Sequence, residues 1–361
     1  METKKYEYID SLRGIAVLMV LMVHVANFFK VSTTEFFPQL LFGILYNGRI
    51  GVQLFFIISS FTLMFSFERR VGEKNGTSNF YIRRFFRIAP MYYLAILVIT
   101  AYYIHLDGRN WDILTTPWYL SNFLFLNTLN PYWIKTIVPG GWSISVEFLF
   151  YIIFPFIASR IKNINSSAIA MFTSLIIATL FMYIVKDQFV FFQLDFHQIS
   201  FYYQLPVFFI GIFAYWLTKE SYTKINNKTW LLLIIALFLF TYMGVPYYLF
   251  YTIIFCIAIF VLQKKPYKIL CNKWLSKVGQ VSFSMYIVHF FLIIMMNSFG
   301  IGRIIPVTNL STSIINYILL YIVVSVLTYT ISYFSYKFIE VPGQNLGKKL
   351  IKKRSTNNIS A

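Results

Sequence analysis

The chain is 361 residues long, 58% hydrophobic and 20% aromatic, with only 12% charged residues, about half the charged share of an ordinary soluble domain. Apolar runs recur from end to end and the polar stretches between them are too short to fold alone, which excludes a soluble enzyme and leaves one polytopic membrane domain. The net charge of +18 is accounted for by basic loops and a basic tail facing anionic lipid headgroups, so nucleic acid is excluded as a partner.

The pattern predicts an all-α bundle of about ten transmembrane helices, over residues 14–30, 50–67, 90–106, 142–158, 167–185, 203–217, 229–244, 247–263, 280–297 and 312–336. With the N-terminus inside, 25 of the 31 Lys and Arg residues fall in cytoplasmic stretches and 6 outside, which supports ten spans and cytoplasmic termini. Residues 1–345 form the integral-membrane domain on this reading, and residues 346–361, with the run KKLIKKRS, a short basic cytoplasmic tail. The first span follows Lys4 and Lys5 as a signal peptide would, but it lacks a small-residue cleavage site and is read as retained. Cys256 and Cys271 are too few for a disulfide framework and are expected to be reduced and structural. Asn-x-Ser/Thr matches at Asn75, Asn165, Asn227 and Asn309 are read as chance, and no internal repeat suggests a duplicated transporter fold.

Polar residues within the spans carry the functional signal. The first span reads IDSLRGIAVLMVLMVH, with Arg13 at its foot and His24 eleven residues on. At about 1.5 Å and 100° per residue the two share a face roughly 16 Å apart. Asp10 is placed for an i,i+3 ion pair with Arg13, and Asn27 to orient the His24 ring. A titratable imidazole at mid-membrane is a candidate for catalysis or transport. His105 and His197, near outer loops, are read as solvated.

The segment FYIRRFFRIAPMYY leads into the third span, with Pro90 suited to the first turn of the helix. Its Arg83, Arg84 and Arg87 exceed what a helix foot needs, and guanidinium forks at Arg84 and Arg87, one turn apart, match phosphate oxygens. The segment GGWSISVEFLFYIIFP opens the fourth span and places Glu147 roughly 8 Å below Trp142, too deep for an interfacial carboxylate. Arg or His is its expected partner. In SFSMYIVHFFL, Tyr286 and His289 share a face of the ninth span, at a depth similar to His24. Trp111, Trp118, Trp133 and Trp142 suit either sugar stacking or an interfacial belt.

Taken together these residues resemble the integral-membrane acyltransferase family 3, which includes polysaccharide O-acetyltransferases. The resemblance runs from Tyr8 to about Pro342. It rests on Arg13 and His24, GVQLFFIISSF at 51–61, Arg83, Arg84 and Arg87 before Ile88 and Pro90, WSISVEFLFY at 142–151, SMYIVH at 284–289, and Glu340 with Pro342. Ser60 departs from the family's usual glycine, which is expected to loosen a helix contact.

The resemblance implies a multi-pass enzyme of the bacterial cytoplasmic (inner) membrane. It would take acetyl-CoA as acyl donor from the cytoplasm and acylate a hydroxyl of a surface glycan or lipid-linked sugar, in lipopolysaccharide, peptidoglycan, capsule or exopolysaccharide. Arg84 and Arg87 would hold the coenzyme's phosphates with Arg83 as helper, His24 would be the acid/base or a transient acyl acceptor, and Arg13 and Glu147 would position the reactants. Asp10, Trp142, Tyr286 and His289 would support them, and no metal is required. Imidazole is the side chain whose proton affinity suits attack of a hydroxyl on a thioester. Two alternatives stay open. One is a glycolipid transporter or flippase in which buried His and Glu relay protons; the other is an acyltransferase partner within a larger polysaccharide-synthesis complex.

Overall fold

The computed structural model describes residues 7–30, 36–105, 116–134, 136–185, 196–220, 225–229, 231 and 247–357. Helix α1 (Glu7–Phe28) is followed by α2 (Gln39–Tyr46), which runs through a 3-10 turn (Asn47–Ile50) into α3 (Gly51–Glu68). Then come α4 (Gly76–His105), α5 (Pro117–Phe123), α6 (Gly141–Arg160), α7 (Ile164–Val185), α8 (Phe196–Ile199), α9 (Phe201–Lys219) and α10 (Tyr247–Lys264). The chain closes with α11 (Lys273–Gln280), α12 (Ser282–Ser298), α13 (Leu310–Ser335), a π-helical turn (Tyr336–Glu340) and α14 (Val341–Asn357). No strand occurs among the described residues.

Among the described residues seven helices are long and apolar enough to cross a membrane, or eight if α11 and α12, bent by 71° at Val281, count as one span. With no water in the hydrocarbon to satisfy the backbone, helices that close their own hydrogen bonds are the expected solution, and the fold is a polytopic membrane bundle. Nine of the ten predicted spans coincide with helices, α10 among them as a shorter apolar one. The seventh, 229–244, lies outside the described residues except at 229 and 231.

The third span differs most from expectation. Helix α4 begins at Gly76, well upstream of Pro90, and continues through that proline. A mid-helix proline forfeits one backbone hydrogen bond, but Ile88, Ala89, Met91 and Tyr92 around it are buried, so packing holds the helix across the gap. Arg83, Arg84 and Arg87 therefore stand on the helix itself.

The described chain forms two compact units. The first comprises residues 1–55, 90–99 and 267–343. In it α1 is gripped at backbone distance: a Cβ on Gly14 would strike the Leu275 carbonyl of α11, one on Gly279 the Asp10 carbonyl, and ones on Gly48 and Gly51 the carbonyls of Met19 and Ala16. Small residues at such crossings let membrane helices exploit close packing where no hydrophobic effect separates helix from lipid. From α13, Tyr317 and Tyr321 donate hydroxyl hydrogen bonds to the Met22 and Leu18 carbonyls of α1, each at 3.1 Å. The helix is held both in depth and in rotation. Asn309, one of the four Asn-x-Ser/Thr matches, caps α13 by accepting from Thr312 N–H at 2.9 Å.

The second unit comprises residues 56–89, 100–266 and 344–361, with α9 packed against α6, α7 and α10. Gly211 of α9 meets α3 where a Cβ would collide with the Ser60 hydroxyl and the Ile57 carbonyl. Ser60 does not loosen this contact. It is fully buried, and its hydroxyl donates to the Phe56 and Ile57 carbonyls of its own helix, both at 3.1 Å. Opposite it, Gly211 leaves the room the extra oxygen needs. Cys256 and Cys271 are both free.

Candidate active site

In the first unit the foot of α1 carries the expected ion pair, Arg13 Nη1 to Asp10 Oδ1 at 3.0 Å. Its opposite half carries His24, which meets His289 of α12: Nε2 of His289 lies 3.2 Å from Nδ1 of His24. His289 is fully buried, and its Nδ1 lies 3.1 Å from the Met285 carbonyl one turn back. A carbonyl only accepts, so Nδ1 of His289 carries the proton and its Nε2 presents a lone pair. Nδ1 of His24 is then the donor, and the lone pair of His24 remains on Nε2. The hydrogen-bond chain thus assigns both tautomers and leaves one basic nitrogen at its end.

Aromatic rings enclose the pair. The Phe290 ring lies 4.4 Å from that of His24 and 4.0 Å from that of His289, Phe28 closes over His24 edge-on at 6.4 Å, and Tyr286 sits 5.7 Å from His289. Asn27, expected to orient His24, is instead exposed. It is one residue short of a full turn beyond His24, and the ring turns toward α12.

The second unit holds the other cluster. Arg84 is half-buried on α4, its guanidinium carbon 5.6 Å from the Phe80 ring and 5.7 Å from the Tyr151 ring. Such seating on two aromatic faces stabilises a cation without using its N–H groups. Its Nε, shielded from solvent, has no hydrogen-bond partner among the described residues, although Glu147 and Arg87 lie within electrostatic range. Glu147 is partnered by hydroxyls instead of the expected Arg or His: Ser59 Oγ and Tyr151 Oη both donate to its Oε1, the latter at 2.6 Å. Tyr151 follows Glu147 by four residues on α6, and so lies above it on one face.

Arg83 spends its fork on Glu73, with N···O distances of 2.8 and 3.0 Å. This contact, more than any other, holds the Glu73 carboxyl below the usual carboxylate range. Trp142, in the first turn of α6, is half-buried with Phe56 edge-on at 6.3 Å. His105 is exposed at the end of α4. Trp111 and the side chain of His197 lie outside the described residues.

Two clusters result: a histidine pair whose hydrogen bonds place a proton on each Nδ1, and a half-buried arginine with an unpartnered Nε beside a carboxylate already satisfied. The first can take a proton and the second can bind an anion. The acyltransferase-domain family profile matches residues 6–337, almost the entire chain. The chain belongs to that family.

Among individual relatives, a peptidoglycan O-acetyltransferase, OatA, of Listeria monocytogenes is 30% identical over 159 residues, covering 41% of this chain and 23% of the relative. A Staphylococcus aureus protein provisionally named O-acetyltransferase SAR0937 is 26% identical over 396 residues, covering 98% of this chain and 60% of its own length. A Rhizobium radiobacter protein, protein 2 in the picA locus, is 28% identical over 102 residues, covering 28% of this chain and 47% of the relative. The chain therefore spans less than two thirds of the length of these relatives. No solved structure matches.

Within this acyltransferase-family chain, sequence reasoning missed the roles of Ser59, Tyr151 and the Met285 carbonyl. Tyr151 was accessible, because a phenol four residues after a buried carboxylate shares its helical face. Ser59 and the pairing of His24 with His289 join residues far apart in sequence, which periodicity along one helix cannot relate.

Proposed function

We propose that the chain is the membrane domain of an O-acyltransferase that moves acetyl from acetyl-CoA to a hydroxyl of a cell-surface glycan, in a bacterial cytoplasmic membrane. Residues 1–345 would be the acyltransferase domain and 346–361 its basic cytoplasmic tail. The observation that carries the reading is the histidine relay, which fixes the His24 tautomer with Nε2 unprotonated, as a general base requires.

His24 Nε2 takes the proton of the acceptor hydroxyl as that oxygen bonds to the thioester carbonyl carbon. When the resulting tetrahedral adduct collapses, the carbon–sulfur bond breaks, and the thiolate of coenzyme A takes the proton from His24. The group-transfer step is thereby proton-neutral. Arg84, with an unspent Nε–H, and Arg87, one turn along α4, supply donors for the coenzyme's phosphates. Arg13 and Glu147 are positioning residues in this reading, and the acceptor class named for the Listeria relative, peptidoglycan, is the first to test.

The test uses membrane vesicles carrying the full-length protein, labelled acetyl-CoA and the endogenous glycan. His24→Ala is expected to abolish acetyl transfer, and mass spectrometry of surface glycans from a deletion strain to show loss of an acetyl increment. Wild-type transfer by His24→Ala would overturn the assignment. Retained glycan transport without coenzyme A binding would favour a flippase instead.

A further inference from the structure

Glu340 is 4% exposed, a carboxylate inside a membrane bundle to which neither cluster above assigns a task. Its burial has a local cause. The inward stripe of α13 runs through Leu320, Val324, Thr328 and Ser332, and in unbroken α-helical register the next inward position two turns on, seven residues later, would be Ile339. The π-helical turn, in which Val341 N–H bonds back to the Tyr336 carbonyl, adds one residue to that path and brings Glu340 inward in its place. Wide turns of this kind are rare and concentrate at functional sites.

Inside, Glu340 Oε1 accepts the hydroxyl proton of Ser284. Ser284 lies in the first turn of α12, just after the 71° bend at Val281, where no collinear helix defines how α12 starts. The next residue, Met285, donates its N–H to the Val281 carbonyl at 2.9 Å and offers its own carbonyl to His289. A carboxylate beside this first turn also suits the positive end of the helix dipole.

We infer that Glu340 is a positioning residue for the histidine pair: through Ser284 it fixes the first turn of α12, whose Met285 carbonyl sets the His289 tautomer and, through it, that of His24. The inference rests on the base role proposed for His24.

Kinetics of labelled acetyl transfer in vesicles separate the two. Glu340→Ala and Ser284→Ala are expected to lower kcat by up to about 100-fold, the usual cost of a small misplacement of a catalytic group, with KM for acetyl-CoA unchanged. Glu340→Gln and Ser284→Thr, which keep the acceptor and the donor, are expected to recover most of that loss. Should Glu340→Ala fail to fold in detergent, the contrast of Ser284→Ala with Ser284→Thr decides. Wild-type kcat in Ser284→Ala, a change in KM alone, or a Glu340→Gln as inactive as Glu340→Ala in folded protein would overturn the inference. Activity in His24→Ala would overturn the base role and this inference together, whereas an inactive His24→Ala beside fully active Ser284 and Glu340 variants would overturn only this one.

Discussion

Replacing His289 by alanine tests the relay at its centre. His289 Nε2 is the acceptor that holds Nδ1–H of His24 at 3.2 Å, and its removal leaves the His24 ring only its backbone hydrogen bond to Val20 on its own helix. Loss of one such hydrogen bond costs about 0.5–1.5 kcal/mol net. Here the cost falls on the cross-helix orientation that presents Nε2, because the remaining Val20 partner holds the ring from α1 alone. At about 1.36 kcal/mol per decade of rate, that loss should lower kcat about 2- to 13-fold. That is less than the loss from His24→Ala, which removes the base itself and is worth about 10²–10⁴-fold. His289→Gln is the informative companion, since its amide oxygen can stand where Nε2 stood and accept the same proton. It should recover a large part of the lost rate. The assay is transfer of labelled acetyl in vesicles with protein amount normalised, kcat and KM taken separately. Equal rates for His289→Ala and wild type, or a His289→Gln no better than His289→Ala, would refute the relay, and a rise in KM without loss of kcat would assign His289 to binding.

Three further outcomes follow from the packing and charge. Gly279→Ala drives a methyl into the Asp10 carbonyl, a backbone atom that no rotamer change can move aside, so detergent unfolding should show a loss of about 3 kcal/mol, the upper part of the overpacking range; an unchanged midpoint would show that α1 and α11 are not in backbone contact. Arg84→Ala removes a charged donor whose Nε–H is otherwise unspent, so on the proposed function affinity for coenzyme A should fall about 10- to 150-fold, as loss of a charge-assisted hydrogen bond worth about 1.5–3 kcal/mol implies, and undiminished binding would place the phosphates elsewhere. The Glu73 carboxyl has its folded pKa below the ordinary value because Arg83 favours its charged form. Its contribution is therefore complete above the unfolded value of 4.5 and is lost as pH falls through the folded one. With the pair partly exposed, the effect should stay under about 1 kcal/mol, and Glu73→Gln should flatten this part of the acid limb of a stability profile; an unaltered limb would show that the pair contributes nothing.

Helix existence was legible because a membrane span must be continuously apolar, and hydropathy reads that property directly. Boundaries were less so where polar chemistry intrudes. Three arginines followed by Pro90 look like the approach to a helix, yet α4 already runs from Gly76, since tertiary packing carries it past both the charges and the missing hydrogen bond. The bend at Val281 has no proline to announce it, and the π turn before Val341 leaves no composition signature at all. For this reason Glu340 was visible only as part of a motif, without a direction in which it pointed. Of the site, Arg13, His24, Arg84, Glu147 and His289 stood out because polar atoms within apolar runs are costly, but Ser59 beside Glu147 and His24 beside His289 are partners on other helices and could not be read along one.

The Glu147 pairing is where expectation and structure part most usefully. A buried carboxylate invites a cation as partner, and Arg84 is close enough to be felt, yet the two form no direct ion pair. Ser59 and Tyr151 satisfy Glu147 instead. Two hydroxyl donors stabilise the carboxylate without taking up guanidinium donors. Arg84 keeps its charge on the Phe80 and Tyr151 faces and an N–H in reserve. A full ion pair would have satisfied both residues at once and left nothing for an incoming anion. By splitting the task, with hydroxyls for the carboxylate and rings for the cation, this cluster leaves the Nε–H of its arginine unspent, which on the proposed function is the donor offered to the coenzyme's phosphates.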